Sequence, residues 1–234
     1  MALSLQRTAV RFKQPHRKRL RGLVGGLGLL VLMVGLSLAL GSRPLSLNQV
    51  LDALGTYDRQ NDVHLIVREL RIPRTLVAVL AGLALGMAGA IMQAVTRNPL
   101  AEPGLLGINA GAALAIIIGA AAFNLVTPLA YVGFAFIGAG LAGVTVFIIG
   151  QAHAGTCNPV RLVLAGAGLS IMLVSATGIF ILNAPADVFD QFRHWASGSL
   201  ERSGPQAAWV LLAAVIPGGA IALNYVEAVA RDGA

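Results

Sequence analysis

From Thr75 to Thr96, 22 consecutive residues carry no charged side chain. At about 1.5 Å rise per residue such a run makes roughly 33 Å of helix, enough to cross a hydrocarbon core of about 30 Å. Arg71 and Arg74 stand before it, and the turn-forming string Asn98-Pro99-Leu100-Ala101-Glu102-Pro103-Gly104 follows it. The pattern is a membrane span that ends in a structured polar loop.

The rest of the chain repeats the theme. Hydrophobic residues make up 56% of it and charged residues 12%, about half the charged share of an average soluble domain. Charge-free windows run over 22–42, 75–96, 103–160, 162–186 and 203–226. The third is long enough for two crossings, with Asn124, Thr127 and Pro128 marking a turn between them. The expected fold is therefore all-α, a polytopic transmembrane helical bundle with spans near 22–41, 75–96, 107–123, 129–150, 161–183 and 207–225.

Net charge is +7, but Arg7, Arg11, Lys13, Arg17, Lys18, Arg19 and Arg21 all precede the first span. Residues 1–21 thus read as a basic tail held in the cytoplasm and not as a nucleic-acid arm. Arg43, Arg59, Arg68, Arg71 and Arg74 in the first external loop run against that rule, with Asp52, Asp58, Asp62 and Glu69 offsetting four of them. The first apolar run is about 20 residues, beyond the roughly 7–15 of a signal peptide, so it reads as a retained span. The single Cys157 permits no internal disulfide and has no partner at metal-ligand spacing.

Inside a bilayer, helices adhere through close approach at small residues. Ala78, Gly82, Gly86 and Ala90 line one face of the second span and should be packed tightly by neighbours. Gly133, Gly138, Gly140 and Gly143, and then Gly166 and Gly168, extend the pattern less regularly. No Asp, Glu, Lys or Arg lies in any span core, which disfavours an ion-coupled secondary carrier. No GxxxxGK[ST] phosphate loop, no Ser/His/Asp grouping and no pairing of His16, His64, His153 and His194 is present. The expectation is a pathway that is not an enzyme, has no cofactor or metal, and is powered from elsewhere.

Three stretches resemble a known family. Leu70-Arg71-Ile72-Pro73-Arg74 leads into a Gly/Ala-rich helix ending in Met92-Gln93, followed by Arg97-Asn98-Pro99-Leu100-Ala101-Glu102-Pro103-Gly104-Leu105-Leu106-Gly107. Arg161-Leu162-Val163-Leu164-Ala165-Gly166-Ala167 and Trp195-Ala196-Ser197-Gly198-Ser199-Leu200 are the other two. Together they are similar to the FecCD permeases of bacterial ABC importers for iron-siderophores, haem and vitamin B12, over residues 22 to 225. The resemblance implies an inner-membrane permease that pairs with a second permease subunit. It also implies an extracytoplasmic binding protein that delivers substrate, and a cytoplasmic ATPase that drives transport.

By the same resemblance, Arg71 and Arg74, with Arg68 one turn earlier, would dock the binding protein. An arginine fork suits a carboxylate, and the bland alternative is interfacial anchoring or local pairing with Asp62 or Glu69. Asn98 and Leu100 match positions of an inner gate. Pro159-Val160 stands where the vitamin B12 example carries small hydroxyl residues, which weakens vitamin B12 as cargo. Gln93 reads as an interhelical bond more than a substrate contact, and Met87 and Met92 as core filling that could also line a path. Family members have about ten spans, so residues 226–234, with Glu227 and Arg231, resemble only the beginning of an ATPase-docking segment. A truncated product, half of a split permease and a fragment all fit, and the alternative function is a non-transporting remnant or assembly partner.

Overall fold

A computed structural model describes residues 16–96, 98–123, 125, 127–151, 159–200 and 204–232. His153 and Cys157 fall outside them, as do Arg7, Arg11, Lys13, Arg97 and Asn124. The described residues form helices joined by loops, with no strand among them, as expected of an all-α chain. Two compact units divide between Thr75 and Leu76.

The first unit begins with α1, His16–Ala39. None of the residues in its Leu20–Ala39 window is fully buried. The helix starts inside the basic tail, six residues before the expected span, because arginine and lysine are good helix formers. A second helix, α2 (Leu47–Gly55), was not expected from the sequence. Ser46 and Gln49 close its start as a capping box, which satisfies two otherwise orphaned N–H groups. Its Val50 and Ala53 pack with Leu45 and Val67 to form the core of this unit.

A short helix, α3 (Asp62–Leu65), is capped by Asn61 and runs through a π turn at Ile66–Arg71 into α4 (Ile72–Thr96). Pro73 explains the widened turn. A proline lacks an N–H and crowds the carbonyl four residues back, and a π bulge just upstream absorbs both effects. The Ser37 and Thr75 hydroxyls meet at 2.7 Å.

In the second unit, α5 (Ile108–Phe123), α6 (Pro128–Gln151) and α7 (Pro159–Asn183) pack on one another. Their tightest crossing is glycine on glycine. A Cβ on Gly138 would collide with the Gly111 carbonyl and lie 2.5 Å from the Ala115 methyl. Gly119 does the same duty against Leu125 and Phe134. At 16 residues, or about 24 Å, α5 is shorter than the other apolar helices. Among the described residues five helices are long and apolar enough to cross a membrane, and α5 is a shorter apolar helix.

An amphipathic helix, α8 (Ala186–Ala196), sets Val188 against Ile117 and Ala120 of α5. The last helix, α9 (Pro205–Asp232), carries Ala208 against Val77 and Leu80 of α4. It runs through the stretch expected to be a tail after residue 225. The small-residue face of α4 departs from expectation. Ala78, Gly82, Gly86 and Ala90 are exposed, and nothing lies within 4 Å of a Cβ built on Gly82 or Gly86. The tight contacts instead use Gly111, Gly138 and Gly166, while Gly133, Gly140, Gly143 and Gly168 stand open.

This contrast is measurable. Gly138→Ala should cost about 1–3 kcal/mol by overpacking, whereas Gly140→Ala should be neutral or stabilising by up to about 1 kcal/mol through helix propensity. Denaturant unfolding in detergent micelles, followed by helical circular dichroism, gives both values.

Candidate functional site

Helix ends leave backbone carbonyls without partners, and the π turn of the first unit supplies the missing donors. Arg71 is 7% exposed. Its Nη1 donates to the Leu38 carbonyl at 2.6 Å and its Nη2 to the Arg43 carbonyl. Leu38 is the penultimate residue of α1, so this guanidinium closes the C-terminus of that helix, where positive charge is also favoured by the helix dipole. Arg68 does the same for α2. Its Nε and Nη2 donate to the carbonyls of Ala53 and Leu54 at 2.9 and 2.8 Å, and its guanidinium lies over the Tyr57 ring.

The docking expectation named Arg71 and Arg74, with Arg68 as a third. The Arg71 and Arg68 guanidiniums each spend two of their five N–H donors on carbonyls of this chain. These bonds go to carbonyls and not to Asp62 or Glu69. Arg74 sits half-buried in the first turn of α4.

The loop between the helices of this unit is fastened by a second polar group. His64 is buried, and its Nδ1 accepts the Asp58 N–H at 3.0 Å. That acceptor role leaves the proton on Nε2, which faces Asp52 Oδ2 at 3.2 Å. The Thr56 hydroxyl, 2.7 Å from Asp52 Oδ1, and the His64 ring hold the Asp52 carboxyl below its usual range.

In the second unit, the loop after α4 is ordered by its own backbone and fixed to α7. Asn98 Oδ1 accepts the Leu100 N–H at 2.9 Å, and the Ala101 N–H reaches the Asn98 carbonyl at 3.2 Å. Pro103–Leu106 forms one 3-10 turn that ends at Gly107 with φ 72°, a left-handed conformation that suits glycine. Space also demands glycine there and opposite. A Cβ on Gly107 would lie 3.2 Å from Ser170 Oγ, and one on Gly166 would run into the Leu105 carbonyl. The loop backbone thus lies directly on the α7 backbone.

Of the expected path residues, Asn98, Leu100, Gln93 and Val160 are exposed, with Leu100 at 87% and Val160 at 65%. Met92 is buried, its carbonyl accepting the Thr96 hydroxyl at 2.7 Å, in keeping with core filling. Pro159 opens α7, and Glu227 and Arg231 fall in the last turns of α9; the side chains of these three lie outside the described part of the structure. Residue-by-residue reading singled out Gly166 as a small packing residue but missed Ser170 and Gly111. Their only signal was four-residue spacing from Gly166 and Gly107.

A hollow of about 220 Å³ lies between α5, α6 and α7, lined by Leu114, Ile118, Leu141, Thr145, Leu169 and Leu173 among others. None of the expected path residues borders it. Its one hydroxyl, Thr145, donates to the Leu141 carbonyl at 2.7 Å, and the lining is mostly apolar. Among the described residues no three His, Cys, Asp or Glu side chains cluster as a metal site would require.

Arg71→Ala would strip two charge-assisted bonds worth about 1.5–3 kcal/mol each. The expected result is a loss of at least about 2 kcal/mol in micelle unfolding, only partly restored by Arg71→Lys because an ammonium is not a fork. The Asp52 stabilisation has its own signature. A lowered carboxyl value means it is fully present above the ordinary value of about 3.9 and lost as pH falls through the lowered one. Thr56→Val should move the Asp52 titration to higher pH, read from its carboxyl carbon resonance.

Residues 29–230 match the model of the FecCD transport family. The chain is 45% identical over 200 residues to the ferric enterobactin transport system permease FepD of Escherichia coli (strain K12), covering 85% of this chain and 59% of that one. Against the iron(3+)-hydroxamate import system permease FhuB of Bacillus subtilis (strain 168) it is 35% identical over 210 residues, covering 90% and 53%. The Fe(3+)-citrate import system permease YfmD of the same organism is 36% identical over 195 residues, covering 83% and 56%. The chain thus spans little more than half the length of these relatives. A solved metal-chelate type ABC transporter in an inward-facing conformation has the same fold, with a TM-score of 0.72 at 20% identity over 87% of this chain and 62% of that one. On the match across residues 29–230, this chain belongs to the FecCD transport family.

Proposed function

We propose that this chain is membrane permease machinery of an ABC importer that carries ferric siderophores or related iron chelates inward by alternating access. The observation that carries the reading is the family match over residues 29–230, together with relatives named for ferric enterobactin, iron(3+)-hydroxamate and Fe(3+)-citrate. In this reading the chain performs no covalent chemistry. A separate cytoplasmic ATPase supplies the energy, and an extracytoplasmic binding protein delivers the chelate.

The apolar helices fit the task. A path that moves a bulky chelate by rigid rearrangement needs no charge within its walls, whereas ion coupling does. The contacts of the Asn98–Gly107 loop with α7 and the exposure of Asn98 and Leu100 support a gate role for them, which this reading extends to Val160 and Gln93. The open face of α4, with Ala78, Gly82, Gly86 and Ala90, is suited to a helix from outside this chain. We assign that helix to the second permease subunit or to further permease sequence. Receptor docking stays with Arg71, Arg74 and Arg68 in this reading, and Glu227 and Arg231 face the ATPase side.

The membrane arrangement in this reading is a bacterial inner membrane crossed six times, α5 included, with residues 1–21 in the cytoplasm. A chimera tests the function directly. Residues 29–230 replace the matching part of the Escherichia coli ferric enterobactin permease, and uptake of radioactive iron as ferric enterobactin is followed in cells lacking the native permease. Uptake that needs both the ATPase and the receptor is expected, with a marked loss on Leu100→Asp at unchanged membrane level. A chimera that inserts and retains its ATPase but takes up no iron would overturn the proposal.

A further inference from the structure

The helix α2 has more apolar surface than its own unit covers. At 100° per residue, Ala53, Val50, Leu54, Leu47 and Leu51 form one continuous apolar arc, and Asn48, Asp52 and Gln49 occupy the opposite side. Only part of the arc is used. Val50 and Ala53 are 4% and 0% exposed, while Leu54, Leu47 and Leu51 are 43%, 68% and 56% exposed. These three fall within an arc of about 60° along the length of the helix.

The position of the helix says what covers them. The window Leu20–Ala39 of α1 has 20 residues, about 30 Å of helix, which matches the hydrocarbon thickness and sets Ala39 at its edge. The Leu45 N–H donates to the Ala39 carbonyl at 2.9 Å, and α2 begins two residues later. Its start is therefore held at the hydrocarbon boundary, inside the headgroup layer of about 5–8 Å. Nine residues make about 13 Å of helix. Standing upright, α2 would leave that layer; lying flat, it sets all three leucines into it at once.

We propose that α2 is an interfacial helix, with Leu47, Leu51 and Leu54 seated among the lipid chains next to α1 and Asp52 turned toward water. Exposed Arg43, the one cation between Leu40 and Gly55, lies in the connection and suits a lipid phosphate. The Arg71 and Arg68 clamps then transmit the membrane level of α2 to the start of α4, because each holds a carbonyl of α1 or α2. This inference rests on the reading of α1 as a membrane span.

Nitroxide scanning separates the two. In a Cys157→Ser background, Leu30→Cys, Gln49→Cys, Leu51→Cys and Leu54→Cys are labelled in the full chain, reconstituted in phosphatidylcholine and phosphatidylglycerol vesicles. Collisions with oxygen, which concentrates in lipid, are compared with collisions with a water-soluble nickel chelate. The proposal expects the ratio at 51 and 54 to exceed that at 49 by about fivefold or more, with 30 higher still. Chelate access at 51 and 54 equal to that at 49, with 30 protected, would overturn the interfacial helix alone. Protection of 51 and 54 from both reagents would assign the leucine face to a protein contact and also overturn it. Chelate access at 30 would remove the span itself.

Discussion

Closing the carbonyl ends of helices is the constraint on which the first unit depends. A buried backbone carbonyl without a donor costs free energy comparable to a lost hydrogen bond, and this chain has few polar side chains to spend. Arg71 and Arg68, three residues apart on one π turn, close α1 and α2 from the same element. The π turn matters because it widens the helix next to Pro73, and the two arginines leave from that widened turn. Remove that clamp and the carbonyl ends of two helices lose their donors together.

The second unit solves a different problem with the opposite chemistry. Where no charge is available, contact comes from taking side chains away. Gly111 against Gly138, Gly166 against the Leu105 carbonyl and Gly150 against Leu162 bring backbones together, so that many weak dispersion contacts accumulate over a short distance. The same device fixes the Asn98–Gly107 loop on α7. A loop held by backbone contact is stiffer than one held by long side chains.

How much could be read from residues alone follows from this division. The positions of the apolar helices were legible, because a charge-free run is a local property and its length is compared with a fixed bilayer thickness. The loop Asn98–Gly104 was legible as an ordered turn, since proline and glycine act on their own backbone angles. By contrast, the carbonyl bonds of Arg71 and Arg68 were not legible. An arginine beside a helix end is equally suited to a carboxylate and to a carbonyl, and the chain order does not say which lies nearer. Helix α2 was passed over because its nine residues are too short to stand out beside charge-free runs of about 20.

The amino-acid sequence by itself determined the solvent of this protein, the approximate helix positions and the family, because hydropathy and motif spacing survive without any knowledge of contacts. Only the tertiary structure decided which donors and which glycines are spent inside the chain. Arg71 and Leu38 are 33 residues apart, and Gly111 and Gly138 lie on different helices. Whether such groups meet depends on the packing of whole helices, which no window along the chain contains.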